Sequence, residues 1–343
     1  MDKQLTMSFW TDELSEVKTH KKGFLEQMDR LVPWGEWVKK VQPHYYKGER
    51  GNKPYDLELM LRIHVLQNLY NLADMAAMNE IIDSRAFSAF CQVDSSNQIP
   101  DGDTIGRFRN ILIRHHLQEE LFEDVRKRLQ EKGLLLMKGT IVDSTLVAAP
   151  SSTKNQKKER DPDAHQVKKG NQWYFGAKLH VGVDAGSGYI HTTIVTAANV
   201  ADSAVAADLI REDDEVLYGD SAYCAVGKHE NVQADPHLSQ VDYRTNRQKP
   251  YRKYAWDEGP GTYWLRKLEY QKSRVRSKVE YVFHVIKGIF GFRKTRYKGL
   301  AKLKTHLDVL CASANFFMLA VARKAERAQS SRAALLFETQ FEG

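Results

Sequence analysis

Ser273–Lys298 reads SRVRSKVEYVFHVIKGIFGFRKTRYK. Val275, Val279, Val282, Ile286 and Ile289 recur at three- and four-residue steps, the period of a helix that buries one stripe. Beside that stripe Arg276 and Glu280 stand four residues apart, with Lys287 seven further on, so a single acid sits among bases on the neighbouring face. Two readings fit. Arg276 and Glu280 form a solvated i,i+4 ion pair worth about 0.2–0.5 kcal/mol, or Glu280 is a carboxylate metal ligand flanked by phosphate-binding cations. The stretch downstream adds weight to the second, because between Tyr281 and Leu307 there are seven Lys or Arg and no Asp or Glu.

Outside this stretch the composition is that of a globular protein. At 343 residues the chain is long enough for a full core and for division into two parts, since single domains commonly run to about 100–200 residues. The net charge of +7 and the pI near 9.0 are unevenly placed. Arg244–Arg276 and Lys287–Lys304 hold the excess, with aromatic residues among the bases and no separate amphipathic anchor. That clustering points to a polyanionic partner, nucleic acid before membrane; the alternative is a basic but inert surface. Cys91, Cys224 and Cys311 lie far apart, fit no metal-ligand spacing and read as thiols of a reducing compartment. The opening MDKQLTMSFWTDELSE carries no secretory pattern. The longest apolar run, Leu307–Ala322, is broken by Asp308 and Asn315, falls short of the roughly 20 residues a bilayer needs, and reads as a buried helix.

In chain order, the first 50 residues hold short helical patterns and a Trp-rich turn. Asp56–Leu72 predicts an amphipathic helix with Leu57, Leu61, Val65 and Leu69 on one side, and His64 within it reads as a core or boundary residue. A second helix is expected over Met75–Phe90. IPDGDTIGRFRNIL then offers Asp103 or Thr104 as the cap of a helix carrying Arg107 and Arg109. This segment is either a helix-turn-helix module that meets DNA or an ordinary helical hairpin.

After Gly133 the pattern changes. Thr140–Val147, TIVDSTLV, is a β-rich run with one acid, Asp143, in its middle. A carboxylate there needs a partner, a metal or solvent at the sheet edge. Residues 148–172 are polar and basic and read as a mobile loop. AKLHVGVD and GYIHTTIVT, joined by AGSG, read as a hairpin in which Leu179, Val181 and Val183 alternate with Lys178, His180 and Gly182 as a half-buried strand. In TAANVADS, Asp202 or Ser203 caps a helix expected to run to Ile210. EVLYGD is a further strand with Asp220 at its C-terminal end.

YRTNRQKPYRKYAW and TYWLRK lie in a basic insert. Its aromatic residues either stack on unpaired bases or, the favoured reading for Trp256 and Trp264, form the core of a small β subdomain together with Tyr263. The succession of strand with Asp143, hairpin, helix, strand ending in Asp220, insert and helix with Glu280 is that of a mixed α/β fold, which places ligands at the carboxyl ends of strands. Three carboxylates brought there make an oxygen-rich site suited to Mg²⁺ or Mn²⁺.

These residues resemble the DDE transposases of bacterial insertion sequences, in particular the insertion sequence five group of the insertion sequence four superfamily. The likeness is carried by IVDSTLV with Asp143, FGAKLHVGVD, TAANVADS, YGDSAY with Asp220, and VRSKVEYVFHVIKGIFGFRKTRYKGL with Glu280. The helical region Pro54–Leu112, ending in DGDTIGRFR, also matches, so that most of residues 54–320 are covered. The superfamily spaces Tyr, Arg, Glu and Lys by two, three and six residues; Arg276, Glu280 and Lys287 fit, and Ser273 stands in place of the Tyr.

The resemblance implies a ribonuclease H-like catalytic domain over 131–325, a mixed sheet flanked by helices, with the basic insert at about 228–265 before the last catalytic helix. It implies a helical N-terminal DNA-binding and dimerisation region over 1–130 and a polar C-terminal tail over 326–343. Asp143, Asp220 and Glu280 would be the catalytic acids, binding two Mg²⁺ ions for which Mn²⁺ substitutes, and no other cofactor is implied. Arg276, Lys287, Lys294, Arg296, Lys298, Arg252 and Lys253 are expected to contact DNA. The implied reaction cuts the inverted ends of the element and joins them to target DNA. The implied partners are double-stranded DNA and a second copy of the chain, with no membrane, in the bacterial cytoplasm at the nucleoid. A catalytically silent DNA-binding regulator, and a nuclease of the same fold that joins no strands, are the alternatives. Ser273 leaves open how the second strand is cut.

Overall fold

The computed structural model describes residue 17 and residues 19–46, 53–136, 139–154, 156, 158–247 and 260–341, with side chains over 263–325 in the last stretch. The chain divides into two units, Met1–Leu66 with Asp74–Phe108 and Phe316–Gly343, and Gln67–Ala73 with Arg109–Asn315. Helices α1 (His20–Leu31), α2 (Trp34–Val41), α3 (Leu57–Leu69), α4 (Asp74–Asp83), α5 (Arg85–Cys91), α6 (Gly102–Arg114) and α7 (Leu117–Glu131) precede the strands. Strands β1 (Thr140–Ala148), β2 (His165–Lys169), β3 (Gln172–Asp184), β4 (Ile190–Ala197) and β5 (Val216–Gly219) follow. Then come α8 (Glu230–Ala234), β6 (Asp242–Thr245), α9 (Pro260–His284) and α10 (Leu300–Phe341).

In the first unit the Trp-rich stretch is a helix rather than a turn. Thr19 opens α1 by accepting from the Lys22 N–H at 3.2 Å, and Pro33 precedes α2, whose Trp34 and Trp37 are both buried. The Trp34 indole donates to Asp29 Oδ1 at 2.8 Å, and the same carboxylate takes Arg62 at 2.5 Å. Arg62, buried on α3, also holds Glu58 at 2.7 Å, donates to the Phe90 carbonyl and lies 4.5 Å from the Trp34 ring centroid. A guanidinium is tolerated in that core because carboxylate, carbonyl and π face together meet its charge and its N–H groups. Trp37 packs against Phe316 with 6.4 Å between ring centroids, and Phe24 against Phe317 at 5.9 Å.

The second unit is built on one mixed sheet, in the order β2, β3, β1, β5, β6, with β4 also on β3. β3 runs antiparallel to β1 along all of β1, from Thr140 opposite Asp184 to Ala148 opposite Gly176. On its other edge β3 pairs first with β2 and then with β4. β5 lies parallel to β1, and β6 parallel to β5. Gly176 is required by the crossing at the end of β1, where a Cβ would overlap the Val147 carbonyl oxygen. One core cluster gathers Val142, Leu209, Leu217, Tyr223 and Val226, and α9 makes contact with β1 and β5.

A buried polar network ties the strand ends together. Arg211 bridges Asp184 at 3.4 Å and Asp214 at 2.8 Å, with both acids fully buried. The Thr140 hydroxyl donates to Asp214, so it accepts from His191 Nε2–H at 2.9 Å, while Thr192 Oγ1 lies 2.8 Å from His191 Nδ1. Burial, then Arg211 and Arg126, hold His191 well below the usual imidazole range, which keeps it neutral in this relay.

His180 on β3 is equally buried. Its Nε2 faces Thr196 Oγ1 at 2.8 Å, and because that hydroxyl donates onward to the Ala197 carbonyl, Nε2 carries the proton. Burial first, with Asp202 opposing and Lys178 reinforcing, pushes His180 down to about 4. A group that protonates less readily folded than unfolded stabilises the fold above its unfolded pKa, and that contribution is lost as pH falls from about 6.5 towards 4. Urea midpoints are therefore expected to fall between pH 7 and pH 5, and His180→Gln, which removes the titration, is expected to flatten that drop. An equally steep drop in the variant would assign the loss to other groups.

Several sequence expectations are corrected by the fold. α3 is buried round nearly all its circumference rather than on one side, His64 included. The cap of α6 is Asp101, whose Oδ1 accepts from the Thr104 N–H at 2.6 Å, and not Asp103 or Thr104. The loop expected over 148–172 contains β2, and β3 begins at Gln172, five residues before the expected strand. β3 is not half-buried but buried on both faces from Gly176 to Asp184 except at Lys178. The helix expected from Asp202 to Ile210 is a pair of 3₁₀ turns, because the Asp202 carboxylate goes to Lys178 instead of capping. The stretch expected as an insert supplies β6 to the main sheet and the first residues of α9. The expected tail continues α10 to Phe341. Leu300–Ala325 of that helix is long and apolar enough to cross a bilayer, with a mean hydropathy of 1.4, and 78% of that window is buried. Cys91 and Cys311 are buried and Cys224 is exposed.

Candidate active site

Asp143 stands in the middle of β1, opposite Val181 of β3. On the other side of β1, Thr140 lies beside Leu217 and Ile141 beside Tyr218. Carried two residues further, that register sets Asp220 level with Asp143 on the adjacent strand, about 4.8 Å away backbone to backbone. β5 ends there because Asp220 caps the 3₁₀ turn Ser221–Tyr223, accepting from the Ala222 N–H at 2.8 Å. α9 brings in Arg276, whose guanidinium lies 3.5 Å from Asp143 Oδ2 and 2.8 Å from Glu280 Oε1. The Arg276–Glu280 ion pair thus exists, and the same guanidinium reaches the acid of β1.

Burial dominates the electrostatics of Asp143 and pushes its carboxyl up to about 6. The Ser144 N–H, at 2.8 Å, and Arg276 pull it down, while Asp220 and Asp202 push it up. Tyr223, buried in the core cluster, is raised by its own burial and then by Asp202, Asp143 and Asp220. Asp202 is thus a further acid within electrostatic reach. It takes Lys178 at 2.9 Å and lies 3.8 Å from His180 Nδ1. Its placement depends on bases two strands of sequence away, and the only local signal was its polar position after the hairpin.

Among the described residues no three His, Cys, Asp or Glu side chains are drawn close enough to hold a metal ion. The donor chemistry of Asp143, Asp220 and Glu280 nevertheless suits a hard divalent cation. All their ligating atoms are carboxylate oxygens, and Asp143 is a half-buried acid raised by desolvation and, less, by Asp220, a site short of positive charge. Arg276 supplies that charge between Asp143 and Glu280 in this structure.

The other expected DNA contacts differ in their surroundings. α9 passes into a π-helical turn at Val285–Ile289, which buries Val285 and leaves Ile289, expected in the buried stripe, 44% exposed. Lys287 lies in that turn and donates to the Leu146 carbonyl at 2.7 Å. Lys294 is exposed, its backbone bridged to Ala148. Lys298 is exposed and reaches the Glu159 carbonyl at 3.3 Å. Arg296 is turned inward, to Asn71 Oδ1 at 2.9 Å and over the Tyr297 ring at 4.4 Å. Arg252, Lys253 and Trp256 lie outside the described residues. Ser273 accepts from Asn246 Nδ2 at 3.2 Å. Tyr263 and Trp264, expected as subdomain core, are instead 61% and 63% exposed on α9, ring edge to face, with Lys267 over Trp264 at 5.1 Å.

A mixed α/β sheet with acids on β1, just past the end of β5 and on α9, and with exposed bases in the segment that follows α9, is an arrangement suited to an enzyme that acts on nucleic acid. Residues 135–316, more than half of the chain, match the family model described as a transposase DDE domain, and residues 12–110 match a second transposase domain, DUF772. The chain belongs to the transposase DDE domain family, and it is a transposase. The piggyBac transposase, in a cryo-EM structure of its synaptic complex with hairpin DNA, is similar with a TM-score of 0.44 and 11% identity, covering 88% of this chain and 74% of that one.

Proposed function

We propose that the chain is a cut-and-paste transposase of the insertion sequence five group, within the insertion sequence four superfamily, and that Asp143, Asp220 and Glu280 are its catalytic acids. The observation that carries the site is the Arg276 guanidinium, which links Asp143 to Glu280 while the β1–β5 register sets Asp220 beside Asp143. Acids 137 residues apart along the chain, at positions 143 and 280, have no structural need to share one base. The mixed sheet with α9 across β1 and β5 supports a ribonuclease H-like reading of residues 131–325, with the helical region before it as the DNA-binding and dimerising part.

The three acids would hold divalent ions, Mg²⁺ or Mn²⁺, two to a site. When bound, such ions activate an attacking oxygen and stabilise the leaving one. The chain's own residues do the positioning. Arg276 swings between carboxylate and phosphate as the only base touching two of the acids among the described residues, and Lys287, pinned to the Leu146 carbonyl, presents a fixed cation to the strand beside Asp143. Lys294 and Lys298 extend that contact along the DNA backbone.

The test uses duplexes that carry the DNA flanking the coding gene, Mg²⁺ and a supercoiled plasmid target. Freed 3′ ends followed by joined product are expected. Nicking without joined product would favour a nuclease, and tight end binding with no nicking even in Mn²⁺ would favour a silent regulator.

A further inference from the structure

Beyond the three acids, one cavity of about 460 Å³ is lined by cations and by no carboxylate. Lys169 reaches it from the end of β2, Lys287 from the π-helical turn and Arg293 from the segment after Gly291, with Tyr174, Thr145 and Gly176 among the other walls. The fold holds these bases in place. Lys287 is tethered to Leu146, and the backbone of Arg293 and Thr295 brackets Ala148 at the end of β1, with Ala148 N–H donating to the Arg293 carbonyl at 3.4 Å and Thr295 N–H to the Ala148 carbonyl at 2.9 Å. Lys169 is fixed by pairing of β2 with β3, opposite Gln172. The close crossing at Gly176 makes the floor.

Like charges gathered in this way repel, and the strain is visible at Lys287, which burial and then Lys169 and Arg293 hold below the usual lysine range. An anion entering the pocket removes that cost. The forked guanidinium of Arg293 and the ammonium groups of the two lysines match phosphate oxygens. Two further features select a polymer over a small anion. Thr145 follows Asp143 by two residues on the same face of β1, about 7 Å along the strand, a span that phosphates close together on one DNA strand can cover. On the hairpin outside the cavity, Lys168 is paired opposite Trp173, which is 64% exposed, so a base and an aromatic surface continue from the pocket.

We infer that the Lys169–Lys287–Arg293 pocket binds one backbone phosphate of the DNA strand held in the active site, close to the phosphate beside Asp143, and that the β2–β3 hairpin is a DNA-contacting arm. The position relative to cleavage rests on the assignment of Asp143 to the catalytic centre; the phosphate contact itself does not.

The test measures affinity of the full chain for fluorescein-labelled duplexes of two unrelated sequences, across a salt series in EDTA, so that no cleavage intervenes. The Lys169→Ala/Arg293→Ala double variant is expected to flatten the slope of log affinity against log salt by about 0.9, the value for one phosphate contact, equally for both sequences. Lys132→Ala, an exposed lysine just after α7, is expected to leave the slope unchanged. Should the double variant melt below wild type, Lys169→Gln alone is read for a measurable part of that fall. A wild-type slope in these variants would overturn the inference and leave the catalytic assignment standing. Protection of wild type but not the double variant by inorganic phosphate in a melting assay, with the DNA slope unchanged, would overturn it in favour of a small-anion site. Absence of any salt-dependent DNA binding by wild type would sink both this inference and the transposition chemistry proposed above.

Discussion

Asp143→Ala, Asp220→Ala and Glu280→Ala are each expected to cut Mg²⁺-dependent end cleavage by at least about a thousandfold while DNA binding persists. The register of β1 with β5 carries Asp220, the residue after β5, towards Asp143, and Glu280 shares Arg276 with Asp143. Asp202, the other acid within electrostatic reach of Asp143, is already committed to Lys178. Stability separates a catalytic loss from a folding one. Burial already disfavours the charge on Asp143, so metal-free Asp143→Asn, which keeps the shape and drops the charge, is expected to melt no lower than wild type. Cleavage at wild-type rate by any of the alanine variants would remove that residue from the site, and an Asn variant that melts far lower would make Asp143 a structural ion pair.

Arg211→Met should have the largest effect on stability. The guanidinium is 8% exposed and lies between two carboxylates that are fully buried, Asp184 and Asp214. Its removal takes the guanidinium from between two acids in low dielectric, a loss of about 3–5 kcal/mol. For a unit of this size that corresponds to a fall in melting temperature of roughly 6–20 °C. Adding Asp214→Asn to Arg211→Met should restore part of the loss, since the pair then carries one uncompensated charge fewer. A single variant that melts within a degree of wild type would show that water reaches these acids and that the network is dispensable.

What was legible beforehand follows from where local pattern and tertiary demand agree. β1, β4 and β5 carried apolar β-rich runs that end at turn residues, and they were placed almost to the residue. β2 was missed because both of its faces are solvated: His165, Gln166, Lys168 and Lys169 are exposed, which leaves Val167 as the only apolar mark. β6 was hidden in the same way within a basic stretch, where Asp242 and Arg244 pair with each other on the surface. The stripe on α9 was read correctly through Ile286, but no periodicity announces the extra residue of a π turn, so Ile289 came out on the wrong side.

The candidate acids were nameable one by one from their settings, whereas their meeting depends on strand register and on the reach of one arginine across α9. Arg296 shows the opposite failure. Alternating bases at 294, 296 and 298 look like a track along DNA, yet Asn71, 225 residues earlier, claims the middle one. Asp202 failed for a related reason, since its partners Lys178 and His180 lie on a strand that precedes it by two elements.

The aromatic contacts of Trp37 with Phe316 and of Phe24 with Phe317 set an order of events during synthesis. A ribosome adds roughly 5–20 residues per second, so the 250 residues from Leu66 to Phe316 occupy roughly 12–50 s. Throughout that interval the nascent first unit has its two N-terminal aromatic anchors without the rings that cover them. The strands of the sheet are all made first, and the aromatic core of the helical unit closes only after Phe316 and Phe317 of α10 have emerged.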